Sequence, residues 1–152
     1  MKSLDPFIRQ FREVQPKFAR LYARMLAQTK LTQPQYAVLL ELVQSFPKPM
    51  TMTAISCKLY ITKPAVTNLV DRLEKNGFLK RLNHPDDRRV SLLQIQPRGK
   101  KMVEKIRERL VGVMVGAVKQ LSSEEKKIVQ RFYSILSNHA DEVLRSPKGC
   151  RR

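Results

Sequence analysis

The stretch YITKPAVTNLVDRLEKNGFLKR, residues 60–81, constrains the fold of this chain more than any other. Val66, Leu69, Val70 and Leu73 recur at i, i+3, i+4 and i+7, the spacing of a single buried helical stripe. Thr62 stands where an N-cap hydroxyl takes up an orphan amide, and Pro64 falls in the first turn, where its missing N–H costs little. Gly77 supplies a left-handed stop. The stretch therefore predicts a short helix with one apolar side, ending at a glycine and running into a strand. With Val66 at the centre of the buried side, and about 100° per residue, Pro64, Thr67, Asn68, Asp71 and Lys75 fall on the far side. Lys63 and Arg72 lie on its flanks. A core has no use for that outer set.

The neighbouring segments place this helix. Residues 51–59, TMTAISCKL, predict a short helix capped by Thr51 or Thr53, with Tyr60 and Ile61 as the turn between the two helices. After Gly77 come FLKRL, the polar turn NHPDDR and RVSLLQIQ, which predict a β-hairpin. Upstream, Thr32 and Gln35 have the spacing of a capping box that opens a helix over LTQPQYAVLLELVQS. Residues 5–29 carry Phe7, Phe11, Val14, Phe18, Leu21, Tyr22, Met25 and Leu26 at helical spacing, with Pro16 inside to kink or split the helix. Pro97 and Gly99 break the chain again, and a long helix follows from Lys100. Ser122 and Glu125 form a second capping box, and the last helix is expected to bury Ile128, Phe132, Ile135, Leu136 and Val143.

Two short helices joined by a tight turn and followed by a hairpin make a winged helix-turn-helix, in which the leading half of the second helix enters the DNA major groove. Asn68 can bond two atoms of an adenine edge, and Lys63 can donate to guanine O6 and N7. Thr67 can meet a thymine methyl or a phosphate. In the hairpin turn, Asp86, Asp87, Arg88 and Arg89 read either as a salt-bridged turn or as an aspartate holding an arginine out toward a narrow minor groove. The formal charge of +17 over 152 residues favours a polyanionic partner. It does not say which element touches that partner, since the segment 62–77 sets three cations against two acids.

Other chemistry finds no support. The two histidines, His84 and His139, lie far apart in sequence, and there is no phosphate loop, nucleophile elbow or Cys-x-x-Cys. No metal-ligand cluster can be assembled, so no enzyme, cofactor or metal is expected. No apolar run approaches the ~18 residues of a membrane span, and residues 1–14 show no secretory leader. The two cysteines, Cys57 and Cys150, are not a disulfide framework. They fit a reducing cytoplasm, with Cys57 as a small buried residue rather than a redox switch.

LTQPQYAVL, then ITKPAVTNLVDRLEKNGFLKR, then HPDDRRVSLLQI followed by Gly99 resemble the MarR family of bacterial transcriptional regulators, over nearly the whole chain. The resemblance implies a mainly α fold with a small β-hairpin wing, a winged helix-turn-helix plus a helical dimerisation region. It implies a homodimer, most simply a repressor, bound to a palindromic operator in double-stranded DNA. By position, Thr62, Lys63, Pro64, Thr67, Asn68 and Arg72 would face the major groove, with Asp87, Arg88 and Arg89 in the wing, Arg89 entering the minor groove and Asp87 orienting it. It also implies release by a small aromatic effector. Tyr22, Met25 and Tyr36 are candidates to line its cavity, although core packing is the stronger reading for all three. The family's oxidant sensors use a cysteine near the N-terminus, where this chain has none. Two departures stand out: Asn68 where a basic residue is usual, and Gln96-Pro97 where Leu-Thr is usual.

The expected organisation is a dimerisation helix over 1–30, the winged domain over 31–97, dimerisation helices over 98–145 and a disordered basic tail over 146–152. A two-fold dimer buries the apolar stripes at both chain ends and sets two reading helices roughly 34 Å apart. The alternative is an intramolecular bundle in a monomer. The rival functions are a nonspecific or architectural nucleic-acid binder and a protein-interaction module.

Overall fold

The computed structural model describes residues 5–29, 31–87 and 89–145. In chain order the elements are α1 (Asp5–Ala27), α2 (Gln33–Ser45), β1 (Met50–Thr51), α3 (Met52–Leu59), α4 (Lys63–Lys75), β2 (Leu79–Asn83), β3 (Ser91–Ile95), α5 (Pro97–Val118) and α6 (Ser123–Arg145). The fold is thus mostly helical with one small antiparallel sheet, ordered β1-β3-β2. The chain divides into two compact units between Arg107 and Glu108.

The first unit is organised around α4. A 13-residue helix is marginal by itself in water. Here Val66, Val70 and Leu73 are fully buried, and each such side chain contributes roughly 1.5–3 kcal/mol of burial. Also buried are Val38, Leu39 and Leu42 of α2, Ile55 of α3, Leu79 of β2, Leu93 and Ile95 of β3, and Val103 and Ile106 of α5, and α4 packs against α2, α3 and β2. The hairpin register pairs Leu79 with Ile95, Arg81 with Leu93 and Asn83 with Ser91, while Met50 of β1 pairs with Leu93 from the other side. That register puts Leu79, Leu93 and Ile95 on the buried face.

Local chemistry sets the helix ends. Thr32 accepts the Gln35 amide at 3.4 Å, and the Gln35 side chain accepts the Thr32 amide at 2.9 Å, completing the capping box. Thr51, rather than Thr53, caps α3 by accepting the Ala54 amide at 3.0 Å. Gly77 ends α4 with φ +69, and Phe78 returns an amide bond to the Leu73 carbonyl at 3.0 Å. Gly99 answers a steric demand. A Cβ there would stand 2.2 Å from the Phe78 carbonyl oxygen and 3.1 Å from Ile95 Cγ1. Only glycine lets the first turn of α5 approach the root of the hairpin so closely.

The second unit holds the end of α5 together with α6. Ser122 and Glu125 form the second capping box: Glu125 accepts the Ser122 amide at 2.7 Å, and Ser122 Oγ accepts the Glu125 amide at 3.2 Å. The Ser122 amide, and after it the Ser122 hydroxyl, bond the Glu125 carboxyl and hold it below its ordinary pKa.

The structure departs from the sequence expectations at several points. Of the two effects expected of Pro16, a split does not occur: α1 is one helix through it. The residues around Pro16 are exposed, so water can take the carbonyl that the missing N–H leaves free. Pro97 and Gly99 do not precede α5 but form its first turn, where proline is tolerated. The two-residue strand β1 joins the hairpin, which the sequence did not foreshadow. The apolar stripe of α6 is not buried within the chain: Ile128 is 68% exposed and Val143 62%. Cys57 is half-buried and disulfide-bonded rather than a buried thiol. It follows Ile55 and Ser56, the buried residues of α3, at the edge of that face. Cys150 and the tail 146–152 lie outside the described residues.

Gly99→Ala is expected to destabilise the fold by about 2–3 kcal/mol, because both colliding groups belong to the packed hairpin root. Urea unfolding of the two proteins measures this, and an unchanged midpoint would show that α5 can move away freely. For α6, the Glu125 contribution is complete above the ordinary glutamate range and is lost as pH falls through its lowered folded-state value. Hydrogen exchange at the Ser122 amide, followed downward in pH, should report that loss, and Glu125→Gln should keep the cap but flatten the pH response.

Candidate nucleic-acid interface

The outer face of α4 begins at its cap. Thr62 Oγ1 accepts the Ala65 amide at 3.4 Å, and Pro64 occupies the first turn. Thr62, Lys63, Pro64, Thr67, Asn68 and Arg72 are all exposed and share one helix and its cap. Their chemistry differs residue by residue. Thr67 Oγ1 donates to the Lys63 carbonyl at 3.1 Å, so its hydroxyl hydrogen is occupied and its methyl and lone pairs remain for a partner. Among the described residues, the amide of Asn68 and the ammonium of Lys63 make no hydrogen bond or ion pair, so Asn68 offers both a donor and an acceptor.

The electrostatics of this face follow from one residue of β2. The Arg81 guanidinium takes Asp71 at 2.5 Å with one nitrogen and Glu74 with another. Glu74 also accepts the backbone amide of Arg81 at 2.9 Å. Partial burial works against the charge on Arg81, yet the bonds from the two carboxylates leave its pKa raised overall. Both acids of α4 are thereby neutralised from the hairpin side. Lys63, Arg72 and Lys75 are left uncompensated, so the helix presents a more positive face than its sequence suggests. The same contact fixes the hairpin to the helix. The sequence reading missed it, although Asp71 and Glu74 at i, i+3, with a basic residue in the strand after Gly77, were its signal.

The hairpin turn is built by backbone bonds. His84 donates its amide to the Val90 carbonyl at 3.1 Å, and Val90 to Asp87 at 3.0 Å. Asp87 Oδ1 accepts the Arg89 amide at 2.9 Å, so this carboxylate acts on the backbone that carries Arg89. Asp86, Asp87 and Arg89 are exposed at the tip, and Arg88 lies outside the described residues. α3 is tied to α2 by Lys58 and Glu41 at 2.7 Å.

Tyr22, Met25 and Tyr36 belong to packing. The two phenol rings meet edge to face with centroids 5.6 Å apart, Tyr36 is 2% exposed and Met25 is buried. Burial, with Tyr36 adding to it, raises the Tyr22 pKa to about 12, and burial also raises that of Tyr36. Among the described residues, no group of three or more His, Cys, Asp or Glu side chains is placed to hold a metal ion. No described helix is long and apolar enough to cross a membrane.

Arg81→Ala should free Asp71 and Glu74 and loosen the hairpin from α4. A loss of about 1–2 kcal/mol in unfolding stability is expected, since the contact is charge-assisted but only partly buried. Lys80→Ala, at an exposed position beside it, should change stability little. Equal unfolding midpoints for the two variants would show that the Arg81 contact holds nothing.

The MarR family model matches residues 31–91. A relative from Bacillus subtilis (strain 168), the uncharacterized HTH-type transcriptional regulator YhbI, is 26% identical over 131 residues, covering 86% of this chain and 83% of its own length. A mutant of S. aureus MepR, solved bound to an oligodeoxyribonucleotide, is 25% identical and superposes with a TM-score of 0.71 over 87% of this chain and 96% of its own. A MarR family protein from Bacillus stearothermophilus shares the fold at 20% identity, with a TM-score of 0.80 over 92% of this chain and 96% of its own.

Proposed function

We propose that this chain, whose residues 31–91 match the MarR family model, is a transcriptional regulator of that family and acts as a homodimeric repressor on a palindromic operator. The observation that carries the reading is the outer face of α4: exposed, cationic once Arg81 has taken its acids, and furnished with an unbonded amide at Asn68. In this reading Thr62, Lys63, Pro64, Thr67, Asn68 and Arg72 meet the major groove, where Asn68 reads an adenine edge and Lys63 a guanine edge. The wing, with Asp87, Arg88 and Arg89, follows the backbone into the adjacent minor groove, and Arg89 enters it. The oligodeoxyribonucleotide bound to the MepR mutant supports a DNA partner for the same fold.

The homodimer is supported by unmet burial. Phe7, Phe11 and Phe18 of α1 and Phe132, Ile135 and Leu136 of α6 are all exposed in the single chain. Exposed apolar helix faces of this kind mark association surfaces, and a two-fold partner would present the same faces in return. Helices over 1–30 and 98–145 are therefore the proposed dimerisation region, and 31–97 the reading domain. A small aromatic effector would release the dimer by favouring a form in which the two reading helices no longer match the operator.

Asn68→Ala is expected to reduce discrimination between operator and random duplex by about 1–3 kcal/mol, with little change in affinity for random DNA. Fluorescence anisotropy with both duplexes measures the ratio, and the same titration should show two chains per operator. Equal losses on both DNAs would remove Asn68 from base reading.

A further inference from the structure

Tyr60 is the one non-glycine residue with positive φ among the described residues, at φ 53, in the left-handed cap that ends α3. The backbone requires that conformation. The Tyr60 amide bonds the Cys57 carbonyl at 3.3 Å, and the Ile61 amide returns to the Ser56 carbonyl at 3.1 Å, which turns the chain toward the Thr62 cap. Glycine adopts such a conformation without penalty, whereas a Cβ beside the carbonyl makes it unfavourable for tyrosine. The tyrosine side chain adds nothing visible to that turn. The side chain is 64% exposed, and among the described residues its hydroxyl makes no hydrogen bond and its ring no aromatic contact. A strained, exposed residue that does not serve packing points to a use outside the chain.

We infer that Tyr60 is a phosphate-contacting residue that seats the reading helix at its depth in the groove, an inference that rests on the DNA-binding reading of α4. Tyr60 lies two residues before the Thr62 cap, a span of at most about 7 Å. The major groove is about 12 Å wide, so a helix tip on its floor brings the preceding turn against the sugar-phosphate wall. The phenol is suited to that wall. It donates one hydrogen bond to a phosphate oxygen, carries no charge, and has few rotatable bonds to freeze. The nearby cation Lys58 is already held by Glu41, so the phenol is the donor this turn offers. The contact positions the helix and carries no sequence information.

The test compares wild type, Tyr60→Phe and Tyr60→Gly for binding to a selected operator and to random duplex over a range of salt concentrations. Tyr60→Phe should lose roughly tenfold affinity on both DNAs. Its slope of log affinity against log salt should match wild type, since a neutral donor displaces no counterion. Tyr60→Gly should lose at least as much affinity while unfolding at the same or a higher temperature, which separates the loss from misfolding. Tyr60→Phe binding both DNAs as wild type does would overturn the inference and leave the DNA-binding reading intact. A loss confined to the operator would also overturn it, by making Tyr60 a base reader. Wild type that binds neither DNA would overturn both readings together.

Discussion

The structure depends on burying one side of α4 while leaving the other side free. Val66, Val70 and Leu73 are fully buried against α2, α3 and the sheet, and without them a 13-residue helix beginning Lys-Pro would not persist. The surrounding elements serve that burial. α3 turns through Tyr60 to deliver the Thr62 cap, Gly77 turns the chain into β2, and Arg81 returns from β2 to hold Asp71 and Glu74. The outer face is therefore a rigid, cationic surface on a packed support, the arrangement a reading helix needs.

Much of this was legible in the sequence, for a physical reason. Caps and stripes are local: Thr32 with Gln35, Thr62, Gly77 and Ser122 with Glu125 each declare themselves within four residues, and all form as their spacing implies. The features that escaped are non-local. β1 is two residues long and exists only because Met50 and Thr51 fall beside Leu93 and Leu92. The Arg81 clamp joins positions seven and ten apart across a turn. The role of Gly99 comes from the Phe78 carbonyl 21 residues earlier, so it read as a chain break when it is a point of close approach. Positions on the outer face of α4 were legible as exposed. Which of them carry free hydrogen-bonding groups was not, because Thr67 spends its hydrogen on the Lys63 carbonyl and Asn68 spends nothing.

The apolar faces of α1 and α6 show the limit of periodicity as a guide. Their spacing announces burial, but spacing does not say in which molecule the covering surface lies. Ile128, Phe132 and Ile135 remain exposed in the single chain even though their helix is well capped and amphipathic. Local capping and pattern are enough to form such a helix, and association would supply the burial that its sequence anticipates.

The central claim is that the outer face of α4 reads sequence in pairs. The most direct measurement is selection of bound sequences from random duplex DNA at near-physiological salt, using the full chain. The account predicts a palindrome whose half-sites lie about one helical turn apart. Recovery of no consensus, with binding that falls steeply as salt rises, would contradict it and make the charge of +17 the whole of the interaction.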